Sequence, residues 1–331
     1  MGESIELTGV GEIVAGAAFL VLAVYLVSEL VVLHFRRRKL RLREARMASL
    51  GMLSNIGTLV VAGRLWGPVS VGLFAVLAER IAPVGSLGLG PVGWVYAWLV
   101  YEFWYWVQHW AAHKVRLLWC IHSPHHAPGS ISMIVGTNHQ LLEGALYLPF
   151  FAGFLPVLCG ADPLACVAIN VVDAVWGSFL HISDEIVPKG RYGWLERVLQ
   201  TPSYHRAHHA KNVRYLDTNY NSITLFWDWV FGTLQPLRDE EPVTYGITRE
   251  VDTGSFWDVH FGEFALLARD VRSAATWGDK LRTVLSPPGW MPGDDSQTAA
   301  SRKRALQLEG TARPQSPSTL EPAQSPNRPP A

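Results

Sequence analysis

The sequence predicts an all-α fold, a polytopic membrane helical bundle capped by a histidine-rich layer. Two observations carry that expectation. Hydrophobic residues make up 49% of the 331 positions and charged residues only 17%, and the apolar positions run in long blocks where a soluble helix would show a periodic stripe. Eight of the twelve histidines fall into three short motifs, His109/His113, His122/His125/His126 and His205/His208/His209, each standing at or just beyond the end of such a block or in the polar region that follows. The net charge is zero, so no overall field recruits nucleic acid. Cys120, Cys159 and Cys166 have no Cys-x-x-Cys spacing and read as buried thiols, not as a disulfide framework.

Taken in order, residues 13–33 give 21 nearly continuous apolar positions with one acid, Glu29, about enough to cross a ~30 Å hydrocarbon core at ~1.5 Å per residue. The twelve residues up to Glu12 are acidic and lack Lys and Arg, so this segment is expected to stay as an anchor, not to be cleaved as a signal peptide. A basic loop follows: residues 36–46 hold seven basic residues against one acid, which places the loop in the cytoplasm, against anionic lipid. From Ala48 to Ala82 the chain is apolar but broken by Gly51, Gly57, Gly63, Gly67, Pro68 and Gly72, with Arg64 and Glu79 inside it. One net crossing here is favoured over two, because it puts every histidine motif on the side of the basic loop. Residues 91–107, rich in Trp and Tyr, form a further expected span ending at Gln108-His109, and 141–158 and 163–180 form a pair separated by the turn-like Cys159–Pro163. Five membrane passages result, and re-entrant pairs would preserve the same parity. Residues 182–285 are more polar and read as a cytoplasmic cap with helical stretches near 190–200 and 256–283. Residues 286–331, rich in Pro, Ser, Gln and Arg, read as a disordered tail.

The histidines carry the chemistry. His109 and His113 continue the helix that leaves the membrane, and their i, i+4 spacing sets both imidazoles on one face. Glu102, seven residues earlier on that face, is placed to accept the second ring N–H of a ligating histidine. Pro124 fits a first helical turn, so His122 and His126 share a face with His125 beside them; His205, His208 and His209 repeat the pattern after Thr201-Pro202-Ser203. Eight imidazoles suffice for two metal ions. Zinc sites usually close at four ligands and often take thiolate, and no Cys is placed to help. Imidazole suits iron as well, and an all-nitrogen site can keep positions open, so the motifs point to a dinuclear iron site with redox work to do.

The order HxxxH, HxxHH, HxxHH after aromatic membrane helices resembles the fatty acid hydroxylase/sterol desaturase superfamily of integral membrane di-iron oxidoreductases. Asn138-His139-Gln140-Leu141-Leu142-Glu143 is similar to that family's segment with a central His and a Glu four residues later, Leu199-Gln200-Thr201-Pro202 precedes the last HxxHH as it does there, and Asp217-Thr218-Asn219-Tyr220 and Phe226–Thr233 look like its closing "NYG" and "WDxxFGT" signatures. The likeness covers roughly residues 95–236. Trp110 stands where the family usually has Arg, Asn138 where Arg is common, Asn221 where the Gly of "NYG" is expected, and Gly177 where some members place a further His four before His181. His139 and His181 match family histidines outside the three motifs and join the expected ligand set of His109, His113, His122, His125, His126, His205, His208 and His209. Glu143 and Asp228, inside the matching segments, join Glu102 as expected carboxylate partners of that set. Asp173 is expected as a polar pairing residue in its span, and His34 and His260 fall outside the pattern.

The resemblance implies two Fe ions, O2 as co-substrate, and oxidation of a C–H bond of a sterol or fatty acyl-type lipid to an alcohol or an alkene. It divides the chain into N-terminal membrane helices (1–90), a fatty acid hydroxylase-like catalytic domain (91–240), a C-terminal helical extension (241–285) and the tail, with a cytoplasmic histidine-rich di-metal cap. Electrons would come from a separate protein, cytochrome b5 or ferredoxin, or from tetrahydrobiopterin in the ether-lipid-cleaving (alkylglycerol monooxygenase) branch, to which His181–Glu185 bears some likeness. Two rivals of other classes stand beside it. A histidine-rich membrane metal transporter should place its ligands near the bilayer midplane, not at helix ends, and a b-type cytochrome would pair histidines across facing spans.

Overall fold

The computed structural model describes residues 20–35, 42–54, 56–57, 87–143 and 149–312. The described residues are helical, with three isolated β-bridges and no longer strand pairing. Helix α1 spans Leu20–Phe35 and α2 residues 42–54. The expected crossing over 48–82 lies largely outside the described residues, as do 13–19, most of the basic loop and 144–148 of the span 141–158. Helix α3, Pro91–Lys114, starts with Pro at its first turn, where the missing N–H costs nothing. It breaks at a single extended residue, Val115, before α4, Arg116–His126, turns back beside it. A one-turn α5, Met133–Gly136, is capped by the Ser132 hydroxyl, which accepts from Val135 N.

Residues 149–158 make a π-helical stretch running into α6, Leu155–Leu158, in place of the second half of one regular span. Helix α7, Pro163–Leu180, is capped by the Asp162 carboxylate, which accepts from Leu164 N at 2.9 Å. It is the one helix among the described residues long and apolar enough to cross a membrane; α1 is a shorter apolar helix. Against α3 it closes a core of Ala97, Tyr101, Ala161, Ala165, Cys166 and Ile169, whose small residues let the two helices approach closely. Tyr101 donates to Asp173 in that interface at 2.9 Å, the pairing role expected of this acid.

The polar half differs from expectation in two places. The stretch near 190–200 is a short 3-10 turn, Gly193–Arg197, followed by the two-turn α8, Pro202–His208. Beyond α9 (Phe226–Val230), α10 (Phe256–Ser273) and α11 (Trp277–Leu285), the expected disordered tail is ordered at first: residues 286–298 lead into α12, Ala299–Ala312. That helix packs beside the turn Val213–Tyr215, a tertiary contact that composition does not reveal. Helix α10 lies along α4, fastened by an ion pair between Arg116 and Asp270.

Two acids of the N-terminal helices tie these to the histidine layer. Glu29 on α1, 2% exposed, accepts from Met133 N and Ser183 N at 2.8 Å each, bridging α5 and the turn after α7. Glu44 on α2 accepts from Gly129 N at 3.2 Å and from the Ser130 hydroxyl. Replacing Glu29 by Ala strands two buried backbone donors, and each is worth about 1–3 kcal/mol when left unsatisfied. Glu29→Ala is therefore expected to lower unfolding free energy by about 2–4 kcal/mol, read by chemical denaturation of the purified protein. Wild-type stability in that variant would remove α1 from the scaffold of the site.

Candidate metal centre

The sequence places histidines on four elements, and the fold turns them inward to one layer. His109 and His113 come from the last two turns of α3, His122, His125 and His126 from α4, His181 from the C-terminus of α7, and His205, His208 and His209 from α8 and its end. They gather as two groups of ring nitrogens, each group within 4.8 Å: His109, His113, His122, His126 and His208, and His125, His181, His205 and His209. All nine are buried. The two HxxHH motifs are thus each divided, giving His122 and His126 to one group and His125 to the other, and His208 to one and His205 and His209 to the other. Helical spacing explains the division: i and i+4 share a face, whereas i+3 falls to its side. The groups touch, with the rings of His126 and His209 stacked at 4.3 Å.

Backbone carbonyls fix which nitrogen of several rings faces inward. His109 Nδ1 lies 2.7 Å from the Tyr220 carbonyl, His208 Nδ1 2.8 Å from that of Thr218, and His181 Nδ1 2.6 Å from that of Gly177. A carbonyl only accepts, so each of these Nδ1 atoms carries the proton and each Nε2 presents a lone pair. In the second group His181 Nε2 then stands 2.8 Å from His205 Nε2, 3.1 Å from His125 Nε2 and 3.2 Å from His209 Nε2. In the first, His122 Nε2 lies 3.1 Å from both His109 Nε2 and His126 Nε2. Such convergence cannot be satisfied by hydrogen bonds among neutral rings, which have one proton each. It fits nitrogens that share a cation, since ligands ~2.1 Å from one metal at right angles are ~3 Å apart. His113 Nε2 and His208 Nε2, buried without a hydrogen-bond partner, belong to the same pattern.

Electrostatics agree with neutral rings. Burial, then repulsion from neighbouring histidines, holds His125, His126, His205 and His209 well below the ordinary imidazole range. Burial likewise takes His181 down to about 4 and His208 to about 3, against the opposing pull of their carbonyl partners. The neutral form is the one that binds a metal.

The surrounding carboxylates divide in role. Glu143 faces His122 Nδ1 at 3.4 Å and His139 Nδ1 at 3.0 Å. Asp217 Oδ1 lies 3.7 Å from His113 Nδ1. Asp228 touches no histidine; it accepts from Tyr220 N and Asn221 N at 2.8 Å each, and so holds the strand of chain whose Tyr220 carbonyl meets His109. Glu102 is a correction: instead of a histidine it holds Ile223 N at 3.0 Å, Thr224 N at 2.7 Å and the Thr224 hydroxyl, because α3 turns that face of its helix toward the 221–224 loop. His139 is another, for it joins neither group. Its ring stacks on His125 at 4.7 Å and pairs with Glu143; burial would lower its pKa, but that carboxylate overrides the effect and raises it. His260 is buried against Phe256, outside both groups, and His34 is exposed.

The loop 217–221 orients three of the nine histidines, and two of its residues adopt left-handed backbone, Asp217 (φ 54°) and Asn219 (φ 57°). Asn tolerates this conformation, and here its amide is fully used, donating to Tyr204 O and Gln235 O and accepting from Gln235 N. Gly136 provides a close approach: a Cβ there would stand 2.5 Å from His181 Cγ. A cavity of about 330 Å³ opens beside both groups, with His109, His122, His125, His181 and His205 along one wall and Met52, Ile56, Met133 and Leu180 among its apolar lining.

The family model for fatty acid hydroxylase matches residues 94–233, the segment that supplies every histidine of both groups. Over that segment the chain is similar to the fatty acid hydroxylase family. Similar proteins include alkylglycerol monooxygenase of Danio rerio, 28% identical over 60% of this chain and 43% of the relative, and that of Homo sapiens, 29% identical over 61% and 44%. Ornithine lipid hydroxylase OlsE of Rhizobium tropici is 28% identical over 47% of this chain and 46% of its own. The chain spans less than half the length of these curated relatives. No solved structure matches it significantly.

Proposed function

We propose that this chain is a membrane-bound, O2-dependent lipid oxidoreductase, with two iron ions held by the nine histidines that converge in two groups. The observation that carries this reading is the meeting of inward-facing Nε2 lone pairs, without thiolate or carboxylate in either group, beside a cavity with apolar walls. Five imidazoles in one group exceed what a closed zinc site takes, and imidazole suits iron. When bound, the iron pair supplies the oxidising power toward an unactivated C–H bond that imidazole and carboxylate groups lack. The residues do the rest. Tyr220, Thr218 and Gly177 hold the tautomers, Glu143 and Asp217 stand behind His122 and His113, and Met52, Ile56, Met133 and Leu180 keep the reacting carbon out of water.

Insertion of one oxygen atom from O2 consumes two electrons from outside the substrate, which a separate donor, cytochrome b5, ferredoxin or tetrahydrobiopterin, would provide. The topology that serves such a donor is multi-pass, with the histidine layer on the cytoplasmic face beside the basic loop 36–46. A second reading narrows the substrate to an ether lipid, because several relatives carry the name alkylglycerol monooxygenase; comparing the lipids of a host with and without the gene separates hydroxylation, desaturation and ether cleavage. Metal analysis and an optical spectrum of the purified protein test the core of the proposal. About two irons per chain and no Soret band are the expected result; zinc alone overturns it in favour of a transporter or structural site, and a Soret band in favour of a cytochrome.

A further inference from the structure

Helix α11, Trp277–Leu285, lies outside the segment matched to the fatty acid hydroxylase family, so its surface is a feature of this chain. The helix is closed at both ends without any help from its outer face. At its start the Thr276 hydroxyl accepts from Asp279 N at 3.0 Å and donates to the Asp279 carboxylate at 2.7 Å; at its end Ser286 N donates to Arg282 O at 2.8 Å. The inner face is fixed to the protein. Thr283 is fully buried there, and Ser286, just beyond, accepts through its carbonyl from Arg116 N, at the start of α4, at 3.0 Å.

The outer face is apolar and bare. Trp277 is 85% exposed, Leu281 61% and Leu285 53%. At ~100° per residue these three fall within ~80° of one another and opposite Thr283, with Lys280 ~60° to one side of the stripe and Arg282 ~60° to the other. Lys280 Nζ lies 4.8 Å from the centroid of the Trp277 ring, over its face. Asp279, the one acid of the helix, stands on the far side and is engaged in the cap.

Charge and size decide what covers this stripe. A second copy of the chain would set Lys280 and Arg282 against their own counterparts, since a two-fold interface pairs a patch with itself. A folded protein partner needs roughly 800 Å² per side, far more than three side chains on a nine-residue helix offer. A bilayer surface suits it as it stands. The acyl region receives the two leucines, an indole sits well at the headgroup level, and cations on both flanks of the stripe meet anionic headgroups. We propose that α11 lies in the plane of the membrane at the headgroup boundary, with Trp277, Leu281 and Leu285 turned into the lipid and Lys280 and Arg282 binding anionic headgroups. The placement rests on the membrane-bound reading and goes beyond it, adding a surface contact to the spans. Through Ser286 and Arg116 that contact is joined to the helix that carries His122, His125 and His126.

The test uses the full-length protein in nanodiscs of phosphatidylcholine with phosphatidylglycerol, carrying an NBD fluorophore on the Leu281→Cys variant and, as an independent second site, on the Leu285→Cys variant. The unsubstituted chain, labelled in parallel, measures the contribution of its own cysteines. At a depth of about 5–10 Å the fluorophore is expected to be quenched by lipid with a nitroxide high on its acyl chain at least about threefold more than by aqueous acrylamide. Adding Lys280→Glu and Arg282→Glu should cut the nitroxide quenching by about twofold or more, because the flanks then repel the anionic surface. Strong acrylamide quenching at both sites with none by the nitroxide lipid overturns the placement. Protection from both quenchers also overturns it, in favour of a protein covering the stripe, and an unchanged charge-reversed variant overturns the binding of anionic headgroups. Extraction of the wild-type chain from membranes by alkaline carbonate separates the two readings. A chain that is released overturns the membrane-bound reading itself, whereas one that stays integral with residue 281 in water overturns only the placement of α11.

Discussion

His125→Ala is expected to lower lipid oxidation by more than about a hundredfold and to release metal from one histidine group while the other keeps its own. The reason is the division of the HxxHH motifs. His125 belongs with His181, His205 and His209, although His122 and His126, its neighbours in the motif, belong with His109, His113 and His208. Removing it leaves three imidazoles in its group and all five in the other. His208→Ala is the mirror case, leaving four in the first group and all four in the second. Each variant should retain between about one and two metal equivalents and turn over little, because a second-sphere change alone costs ~10–100-fold in affinity or activity and a direct ligand costs more. The pairing can be separated from a motif-by-motif arrangement by the double variants. His125→Ala with His205→Ala depletes one group only and should spare about one metal, whereas His125→Ala with His126→Ala damages both and should spare less. Near-normal oxidation by His125→Ala, or equal metal loss in the two double variants, would sink this assignment.

That division marks where sequence reading stopped. The motifs themselves were legible, because HxxxH and HxxHH are helical spacings that put rings on adjacent faces, and His181 was legible from its place at the end of an apolar block. Which imidazole joins which group was not, since it depends on how α4 and α8 face each other across the layer. Glu102 and His139 show the same limit from opposite sides. Helical phase correctly put Glu102 on the face of His109, but the 221–224 loop reaches that face first and takes both carboxylate oxygens. His139 matched a family histidine, yet it lies on the short segment after α5, where Glu143 captures its Nδ1. The carbonyls of Thr218, Tyr220 and Gly177 carried no signal in composition or pattern, because backbone groups orient rings through the fold alone. Glu29 looked like a lone acid in an apolar block; an acid at such depth needs a partner, and its partners prove to be backbone donors over 100 positions away. Helix α12 was hidden in a composition rich in Pro, Ser and Arg, which describes 313–331 and much of 286–298 but not the run of Ala, Leu, Lys and Arg between them.

Asp228→Ala should be the most destabilising single change near the centre, although Asp228 contacts no histidine. It is fully buried and accepts four hydrogen bonds: from Tyr220 N and Asn221 N at 2.8 Å each, from the Thr233 hydroxyl at 2.6 Å and from Trp106 Nε1 at 3.2 Å. Alanine leaves two backbone N–H groups and an indole N–H without that acceptor, and the expected loss is about 3–5 kcal/mol of unfolding free energy. Asp228→Asn keeps the size and one acceptor oxygen, so it should fall between the two. The consequence for the metals travels through the backbone. Asp228 holds residues 220 and 221, the Tyr220 carbonyl holds the proton on His109 Nδ1, and that proton fixes which nitrogen His109 presents inward. Even at a temperature where Asp228→Asn is fully folded, its metal affinity should therefore drop by about tenfold or more, while the affinity of the Glu29→Ala variant, whose contacts end at Met133 and Ser183, should fall less. Chemical denaturation gives the first number and competition with a chelator at fixed temperature gives the second. An Asp228→Asn protein with reduced stability but wild-type metal affinity would show that the 217–221 loop supports the fold without setting the direction of His109.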